Sequence, residues 1–92
     1  MSKEEIVYDF SDEVVLITGA GQGIGEATAR AFAKTGAHVI LVDWNGESAE
    51  KVKADLASQY PTAQFIAIRA DVSSPDDVQA MVKQSIDTFG RI

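Results

Sequence analysis

The chain has 92 residues, of which 46 % are hydrophobic and 24 % are charged, a composition typical of one ordinary globular domain rather than of a disordered chain. Its 14 acidic and 8 basic residues give a net charge of −6, which repels phosphate backbones and anionic lipid, so we expect no nucleic-acid or membrane partner. The absence of cysteine excludes disulfides and thiolate metal sites, and the absence of an apolar run of secretory or membrane-spanning length predicts a cytoplasmic protein.

The chain divides into a short leader and a single structural unit. Residues 1–12 are polar and acidic, and the alternation of Ile6, Tyr8 and Phe10 within them predicts a leader that these side chains attach in part to the rest. Residues 13–92 contain no internal repeat, low-complexity tract or linker, so we interpret them as one unit.

Three continuous apolar runs, rich in β-branched residues, indicate strands that are covered on both faces of a sheet. They are residues 14–17, 39–42 and 65–68. Apolar positions at helical spacing predict helices between and after these runs. The helices are expected at residues 24–35, 47–59 and 74–89.

Each predicted helix has one apolar face for packing against the sheet. In the first helix, Ile24, Ala27 and Ala31 share a face, whose small alanines would allow a close approach to the strands. The third helix has a strong start at Ser74-Pro75, because Ser suits the N-cap and Pro the first turn. The apolar faces of the second and third helices consist of Ala49, Val52, Leu56 and Tyr60, and of Val78, Met81, Val82, Ile86 and Phe89.

The order β-α-β-α-β-α predicts an α/β fold with a parallel sheet in the spatial order 3-2-1. This is part of a three-layer, Rossmann-like fold, here an incomplete doubly wound sheet with two helices on one face and the third on the other. The strand at residues 14–17 would be an apolar edge, and the face under the third helix would be incompletely covered. We therefore expect self-association through one of these two surfaces, or else a marginally stable, molten monomer.

The first strand is joined to the first helix by a glycine-rich segment, residues 18–25, which reads TGAGQGIG. Glycines suit this position because the chain turns tightly and because a side chain would keep a pyrophosphate away from the backbone. The helix N-terminus then offers free N–H groups and the positive end of the helix dipole to an anion. A glycine-rich turn without a ligand is the alternative, but the strand before it and the helix after it favour a dinucleotide site.

Asp43, at the end of the second strand, supports an adenosine site. It lies eighteen residues after Gly25, where a carboxylate can accept hydrogen bonds from both ribose hydroxyls. Its charge would repel a 2′-phosphate, and neither Gln22 nor Trp44 is basic, so NAD is favoured over NADP. A solvated acid at a strand end is the alternative interpretation. Trp44 either flanks the adenine, or is simply exposed or packed against the second helix.

Asp71-Val72 follows the third strand, beside the expected adenine pocket. Asp71 is suited to accept a hydrogen bond from the adenine amino group, and Val72 to cover the ring face. The alternative is that Asp71 only helps to cap the third helix, although Ser74 suits that role better.

Together these features resemble the short-chain dehydrogenase/reductase family over nearly the whole chain, from Asp12 to Ile92. The family's T-G-x-x-x-G-x-G loop, its Asp after the second strand and its Asp-Val after the third match Thr18, Gly19, Gly23, Gly25, Asp43 and Asp71-Val72. The resemblance implies hydride transfer between nicotinamide and an alcohol or carbonyl carbon. The cofactor-binding residues that we predict are Gly19, Gln22, Gly23, Ile24, Gly25, Asp43, Trp44, Asp71 and Val72.

The catalytic motifs of that family do not occur in these 92 residues. They are an Asn-Asn-Ala-Gly motif in a fourth strand, a catalytic Ser and a Tyr-x-x-x-Lys pair. Tyr8 is followed four residues later by Asp12, and Tyr60 by Gln64. The resemblance therefore implies that residues 13–92 are the N-terminal half of a Rossmann NAD-binding domain, a fragment without catalytic residues that is inactive by itself.

Three other interpretations stay open: a binding-only dinucleotide module, a truncated scaffold for folding or assembly, and a fragment of an S-adenosylmethionine-binding methyltransferase. The last is disfavoured because such enzymes usually place an acid just before the glycines, where this chain has Thr18. A mononucleotide P-loop needs Lys and then Ser or Thr after the last glycine, but Glu26-Ala27 stands there. No cluster of side chains has metal-ligand spacing, so we predict no metal site.

Overall fold

The computed structural model describes residues 9–92, in which three strands alternate with three helices. The elements are β1 (Val14–Thr18), α1 (Gly23–Lys34), β2 (His38–Asp43), α2 (Gly46–Gln59), β3 (Phe65–Arg69) and α3 (Pro75–Phe89). This is the predicted β-α-β-α-β-α order, with most boundaries moved by one residue. Ile6 and Tyr8 of the predicted leader lie outside the described residues.

The three strands form one parallel sheet in the order β1-β2-β3, so the predicted order 3-2-1 is confirmed. The central strand β2 is buried from Val39 to Asp43, as expected for a strand with a neighbour on each side and helices on both faces. Because the strands are parallel, their carboxyl ends at Thr18, Asp43 and Arg69 meet at the same edge of the sheet. Ligands bind at this edge in open α/β sheets.

The sheet separates two apolar clusters, one on each face. On one face, α1 and α2 cover alternate side chains of the strands, among them Val39, Leu41 and Phe65. On the other face, α3 covers the intervening side chains, among them Ile40 and Val42. The two helices on one face and the third on the other are therefore placed as predicted.

The packing face of α1 differs from the prediction. Ile24 is 87 % exposed, and Ala27 and Ala31 are exposed as well, whereas Ala29 and Ala33 are fully buried against the sheet. Successive residues are rotated by about 100° around an α-helix, so the residues in line with Ile24 and those in line with Ala29 lie on different sides of the helix. The prediction placed the side with Ile24 against the sheet, whereas the side with Ala29 packs there. Small residues do occupy the contact with the strands, but they are Ala29 and Ala33.

The apolar face of α3 was predicted correctly only in part. Met81 is buried, but Val82 and Ile86 are 41 % and 42 % exposed. Ser85 takes the buried position one turn after Met81, and its hydroxyl donates a hydrogen bond of 2.8 Å to the Met81 carbonyl oxygen. A serine can occupy this apolar contact because that bond satisfies its hydroxyl within the helix.

The ends of α2 and α3 follow from local residue chemistry. The side chain of Asn45 accepts a hydrogen bond from the Ser48 N–H, and that of Ser74 accepts one from the Asp77 N–H. Gly90 ends α3 with φ of 80°, in the left-handed region that glycine adopts without strain. The predicted N-cap at Ser74 and stop at Gly90 are confirmed.

The segment before β1 lies at the amino end of the sheet. The Phe10 N–H donates to the Thr35 carbonyl oxygen over 3.0 Å, and the Phe10 ring lies 6.0 Å from that of Phe32. The Arg91 guanidinium donates to the Asp12 carbonyl oxygen. These contacts hold residues 9–13 at the end of the sheet opposite Asp43.

Within residues 9–92, β1 pairs with a strand on one side only. On the face under α3, Ile40, Val42 and Ile68 are buried, so incomplete cover is confined to flanking positions such as Leu16 and Ile66, which are half-buried. Self-association through the β1 edge or through this face stays a prediction.

Exchanging alanine for leucine at Ala29 and at Ala31 tests the orientation of α1. Ala29→Leu should lower the free energy of unfolding by about 1–3 kcal/mol, because the larger side chain has no room against the strands. Ala31→Leu is the matched control on the exposed face and should change it by less than about 0.5 kcal/mol. Urea unfolding followed by circular dichroism measures both, and equal losses would contradict the orientation.

Candidate functional site

Two glycines of the loop between β1 and α1 have a backbone conformation that other residues rarely adopt. Gly19 has φ of 64° and Gly23 has φ of 60°. A Cβ atom built on either would meet no atom within 4 Å, so the protein itself does not require their missing side chains for space. The loop therefore leaves bare backbone facing open space, as a group that binds to main-chain amides requires.

Gly25 and Gly21 have a different role, because they allow close packing within the protein. A Cβ on Gly25 would lie 2.0 Å from the Gly19 carbonyl oxygen, so only glycine lets α1 begin this close to the end of β1. A Cβ on Gly21 would lie 2.6 Å from the Ser48 Cβ, where the loop contacts α2. The sequence gives no signal that position 21 must be glycine, because this requirement comes from the position of α2.

The N-terminus of α1 is not capped by a side chain. Its N-cap residue, Gln22, makes no side-chain hydrogen bond to the helix, whereas Asn45 and Ser74 cap the other two helices. Among residues 9–92, the N–H groups of Gly23, Ile24 and Gly25 have no acceptor. Unpaired N–H groups at the positive end of a helix dipole form a site for an anion.

The carboxylate of Asp43 is 3 % exposed and is bonded to backbone on both oxygens. Oδ2 accepts from the Gly21 N–H over 2.9 Å, and Oδ1 accepts from the Asn45 N–H over 2.9 Å. A carboxylate can accept about four hydrogen bonds, so acceptor capacity remains for a ligand hydroxyl. The sequence predicted a ligand contact for Asp43, and the structure adds that Asp43 holds the glycine loop and the start of α2 together.

A cleft of about 440 Å³ lies beside Asp43 at the carboxyl edge of the sheet, a volume in the range of small-molecule sites. Five of the predicted residues line it: Gly19, Asp43, Trp44, Asp71 and Val72. The other lining residues are Thr18, Val42, Arg69 and Ala70. Gln22, Gly23, Ile24 and Gly25 do not line this cleft, and they form the start of α1 next to it.

Asp71 forms a tight turn with Ser73 at the far wall of the cleft. Its Oδ1 accepts from the Ser73 hydroxyl over 2.6 Å and from the Ser73 N–H over 2.9 Å. These two bonds, the hydroxyl first, lower the pKa of Asp71 below its ordinary value. The side chain that caps α3 is Ser74, so helix capping does not account for the Asp71 carboxylate.

Arg69 is the only basic residue among the described residues that line the cleft. It is paired in register with Asp43 on the neighbouring strand, so its side chain emerges on the same face of the sheet. Its Nε donates to the Trp44 carbonyl oxygen over 3.3 Å, and its Nη1 lies 3.4 Å from Asp77 Oδ2. Positions 22 and 44, which adjoin the site in sequence, carry no basic residue, and Arg69 has no signal in the sequence because strand register decides its place.

The described residues hold no metal-binding group and no membrane-spanning helix, and their histidine lies at the other end of the sheet from the cleft. In residues 9–92 no group of three or more potential ligands is arranged to hold a metal ion. None of the described helices has the length and hydropathy to cross a bilayer. His38 is at the amino end of β2, where its Nδ1 accepts from the Gln64 N–H over 2.9 Å and its ring stacks on Phe89.

The short chain dehydrogenase family model matches residues 13–92. The chain belongs to this family. It is 43 % identical over 83 residues to the meso-2,3-butanediol dehydrogenase of Serratia marcescens, an alignment that covers 90 % of this chain and 32 % of the relative. The chain thus spans about a third, or less, of the length of the relatives it matches.

Solved structures of the family have the same fold over this region. A 3-ketoacyl-(acyl-carrier-protein) reductase from Brucella melitensis, complexed with NADH, matches with a TM-score of 0.78 and 40 % identity over 87 % of this chain and 31 % of that one. L-Sorbose reductase from Gluconobacter frateurii, complexed with NADPH and L-sorbose, matches with a TM-score of 0.87 and 32 % identity over 92 % of this chain and 32 % of that one. Short chain dehydrogenases similar to this chain thus bind nicotinamide dinucleotides of both kinds.

Replacing Ser73 with alanine should raise the pKa of Asp71 towards its ordinary value, because the hydroxyl that stabilises the carboxylate is lost. With a lowered pKa in the folded state, ionised Asp71 contributes stability above the unfolded pKa of about 3.9, and this contribution disappears as the pH falls through the folded value. Removing the Ser73 hydroxyl should bring the folded-state pKa of Asp71 closer to the unfolded value. The stability contributed by ionised Asp71 should then be smaller, and it should be lost over a narrower interval of pH.

Carbon-detected NMR titration of the Asp71 carboxyl group measures this shift. Ser11→Ala is the matched control, since the Ser11 hydroxyl bonds to Asp9 and lowers the pKa of that carboxyl instead. An Asp71 pKa that is unchanged in Ser73→Ala would contradict the assigned cause.

Proposed function

We propose that this chain binds NAD through its adenosine and pyrophosphate groups, as part of an oxidoreductase that transfers hydride between nicotinamide and an alcohol or carbonyl carbon. The observation that carries the proposal is the start of α1. Its N–H groups have no acceptor among the described residues, and they adjoin two left-handed glycines whose Cβ directions are open. This backbone fits a pyrophosphate, which needs several N–H donors and no side chain in its path.

The cleft next to this backbone suits the adenosine end of the cofactor. Asp43 has acceptor capacity for ribose hydroxyls, and Asp71 for the exocyclic amino group of adenine. Trp44 is 67 % exposed, and Val72, which follows Asp71 in the chain, is exposed as well. Both line the cleft, so both offer apolar surface to the faces of the base. In this arrangement the predicted site residues divide between a pyrophosphate part at the start of α1 and an adenosine part in the cleft.

The charges in the cleft favour NAD over NADP. Asp43 and Asp71 are both anionic, and the one arginine in the lining is already paired with Asp77. A 2′-phosphate on the ribose would therefore approach the Asp43 carboxylate with no free cation among the lining residues. The relatives do not decide this point, since solved structures among them contain NAD or NADH in some cases and NADPH in another.

When the dinucleotide is bound, its nicotinamide ring supplies or accepts the hydride. The residues described here bind and orient its other end, and that binding energy holds the reactive ring in a defined place. We assign no proton-transfer role to any residue of the cleft. The relatives are about three times as long as this chain or longer, and we propose that the acid/base group belongs to a part of the protein outside these residues.

Replacing Asp43 with alanine should weaken NAD more than NADP. Both cofactors lose a charged hydrogen-bond acceptor, but NADP also loses a repulsive charge near its 2′-phosphate. The hydrogen-bond loss is common to both cofactors and cancels in the ratio of their dissociation constants. The repulsion is relieved for NADP alone, and two like charges about 4 Å apart repel by about 1–4 kcal/mol in water or near a protein surface, so the NADP-to-NAD ratio should fall by about tenfold or more.

Isothermal titration calorimetry with each cofactor measures this ratio. Asp55→Asn is a matched control, because it removes an exposed carboxylate of α2 that does not line the cleft. If Asp43→Ala lost more affinity for NADP than for NAD, this result would contradict the role assigned to the carboxylate.

Replacing Gly19 with alanine should weaken the dinucleotide by at least about tenfold, because the new methyl group takes the space that the pyrophosphate needs and the left-handed backbone becomes strained by about 1–2 kcal/mol. Gly90→Ala is a close control. Gly90 also has a positive φ, of 80°, and open space at its Cβ, but it ends α3 at the other end of the molecule. Gly19→Ala and Gly90→Ala should lower the thermal unfolding midpoint by similar amounts. If both variants also lost equal cofactor affinity, the binding site would not be at Gly19.

A further inference from the structure

The two walls of the adenosine cleft are loops that follow different strands. One is the β2–α2 loop with Trp44, and the other is the β3–α3 loop with Asp71 and Val72. Their bases are joined by the hydrogen bond of 3.1 Å from the Ala70 N–H to the Asp43 carbonyl oxygen. Beyond that bond both loops are short and exposed, so the separation of their outer parts depends on contacts across the cleft edge. Among the described residues, the side chains that connect them directly are those of Arg69 and Asp77.

Arg69 reaches both loops from the end of β3. Its Nε donates to the Trp44 carbonyl oxygen over 3.3 Å, and its Nη1 lies 3.4 Å from Asp77 Oδ2. The same Asp77 oxygen accepts from the Asp71 backbone N–H over 2.9 Å. A chain of three polar contacts therefore runs from the Trp44 backbone through Arg69 and Asp77 to the Asp71 backbone.

The start of α2 leaves space for this arginine. A Cβ on Gly46, the first residue of α2, would lie 3.1 Å from the Arg69 Cβ and 3.3 Å from its Cγ. The aliphatic stem of Arg69 thus packs closely over a glycine, which limits the directions that the guanidinium can take. The planar guanidinium can donate in two directions at once, which a lysine ammonium at the end of a flexible stem does with less geometric definition.

We propose that Arg69 and Asp77 are positioning residues that set the width of the adenosine cleft and so determine how well this protein distinguishes adenine from other bases. The proposal rests on the proposed NAD function. The ion pair is exposed and its contacts are long, so it contributes little to the stability of the fold. Its effect is to hold the Asp71 carboxylate at a fixed distance from the Trp44 wall, where the carboxylate accepts a hydrogen bond from the adenine amino group.

The test compares NAD with nicotinamide hypoxanthine dinucleotide, which carries a carbonyl oxygen in place of the adenine amino group. Calorimetric titrations with the protein should give a preference for NAD, because hypoxanthine offers Asp71 no amino donor. In Arg69→Ala this preference should fall by about three- to tenfold, while the thermal midpoint changes little. Arg69→Lys should restore part of it.

We call the Arg69–Asp77 pair the clamp. A double-mutant cycle distinguishes a joint action of these two residues from two independent effects. If Arg69 and Asp77 act through one another, Arg69→Ala and Asp77→Asn should reduce the base preference non-additively, and the double variant should resemble the more affected single variant. Arg30→Ala is the matched control, since it removes another exposed arginine whose partners Glu26 and Asp55 lie outside the cleft. Its base preference should equal that of the original protein.

The outcomes distinguish the two proposals. No binding of either dinucleotide by the original protein would overturn the NAD function itself. A base preference in the original protein that survives in Arg69→Ala would overturn the clamp and leave the NAD function standing. A loss in Arg69→Ala that is larger for NADP than for NAD would also overturn the clamp, because Arg69 would then act as a cation for the 2′-phosphate.

Discussion

The buried carboxylate of Asp43 joins the parts of the molecule on which the cleft depends. Its two oxygens accept from the backbone N–H groups of Gly21 and Asn45, which belong to the loops that follow β1 and β2. A buried carboxylate without such donors would be costly, so the loops must return to these positions whenever the protein folds. The glycine loop, the start of α2 and the cleft therefore share one fixed point at the carboxyl edge of the sheet.

The three helix starts show how stability and binding are divided in this fold. Asn45 and Ser74 satisfy N–H groups of α2 and α3, whereas Gln22 leaves those of α1 without a side-chain cap. A missing cap typically costs about 1 kcal/mol of stability. That cost falls on the one helix whose first turn adjoins glycines with open space at their Cβ positions, so the unsatisfied donors are located where an anionic ligand can use them.

The sequence predicted those parts of the structure that depend on local chemistry. Continuous apolar runs predicted all three strands, and Ser74 and Gly90 predicted the ends of α3, because each of these signals acts over a few residues. The orientation of α1 could not be predicted in this way. Ile24 is the largest apolar residue near its start, but it points away from the sheet, and the contact is made by Ala29 and Ala33. In a helix rich in alanine, the rows of apolar residues differ too little to identify the packed one.

Residues whose roles depend on a neighbouring element were also missed. Gly21 must be glycine because Ser48 on α2 is close to it, and Arg69 lines the cleft because β3 is in register with β2. Neither role has a signal in the order of residues along the chain. By contrast, the spacing of Gly19, Asp43 and Asp71 follows the repeating length of a strand and a helix, and this is why three positions far apart in sequence could be expected at one cleft.

The exposed indole of Trp44 has a practical consequence. It is the only tryptophan among the 92 residues, and it belongs to the wall of the cleft. Emission excited in the indole band therefore comes from a single known position in the molecule. A base stacked on that ring would shield it from water and from soluble quenchers, so the protein carries its own optical label at the mouth of the cleft.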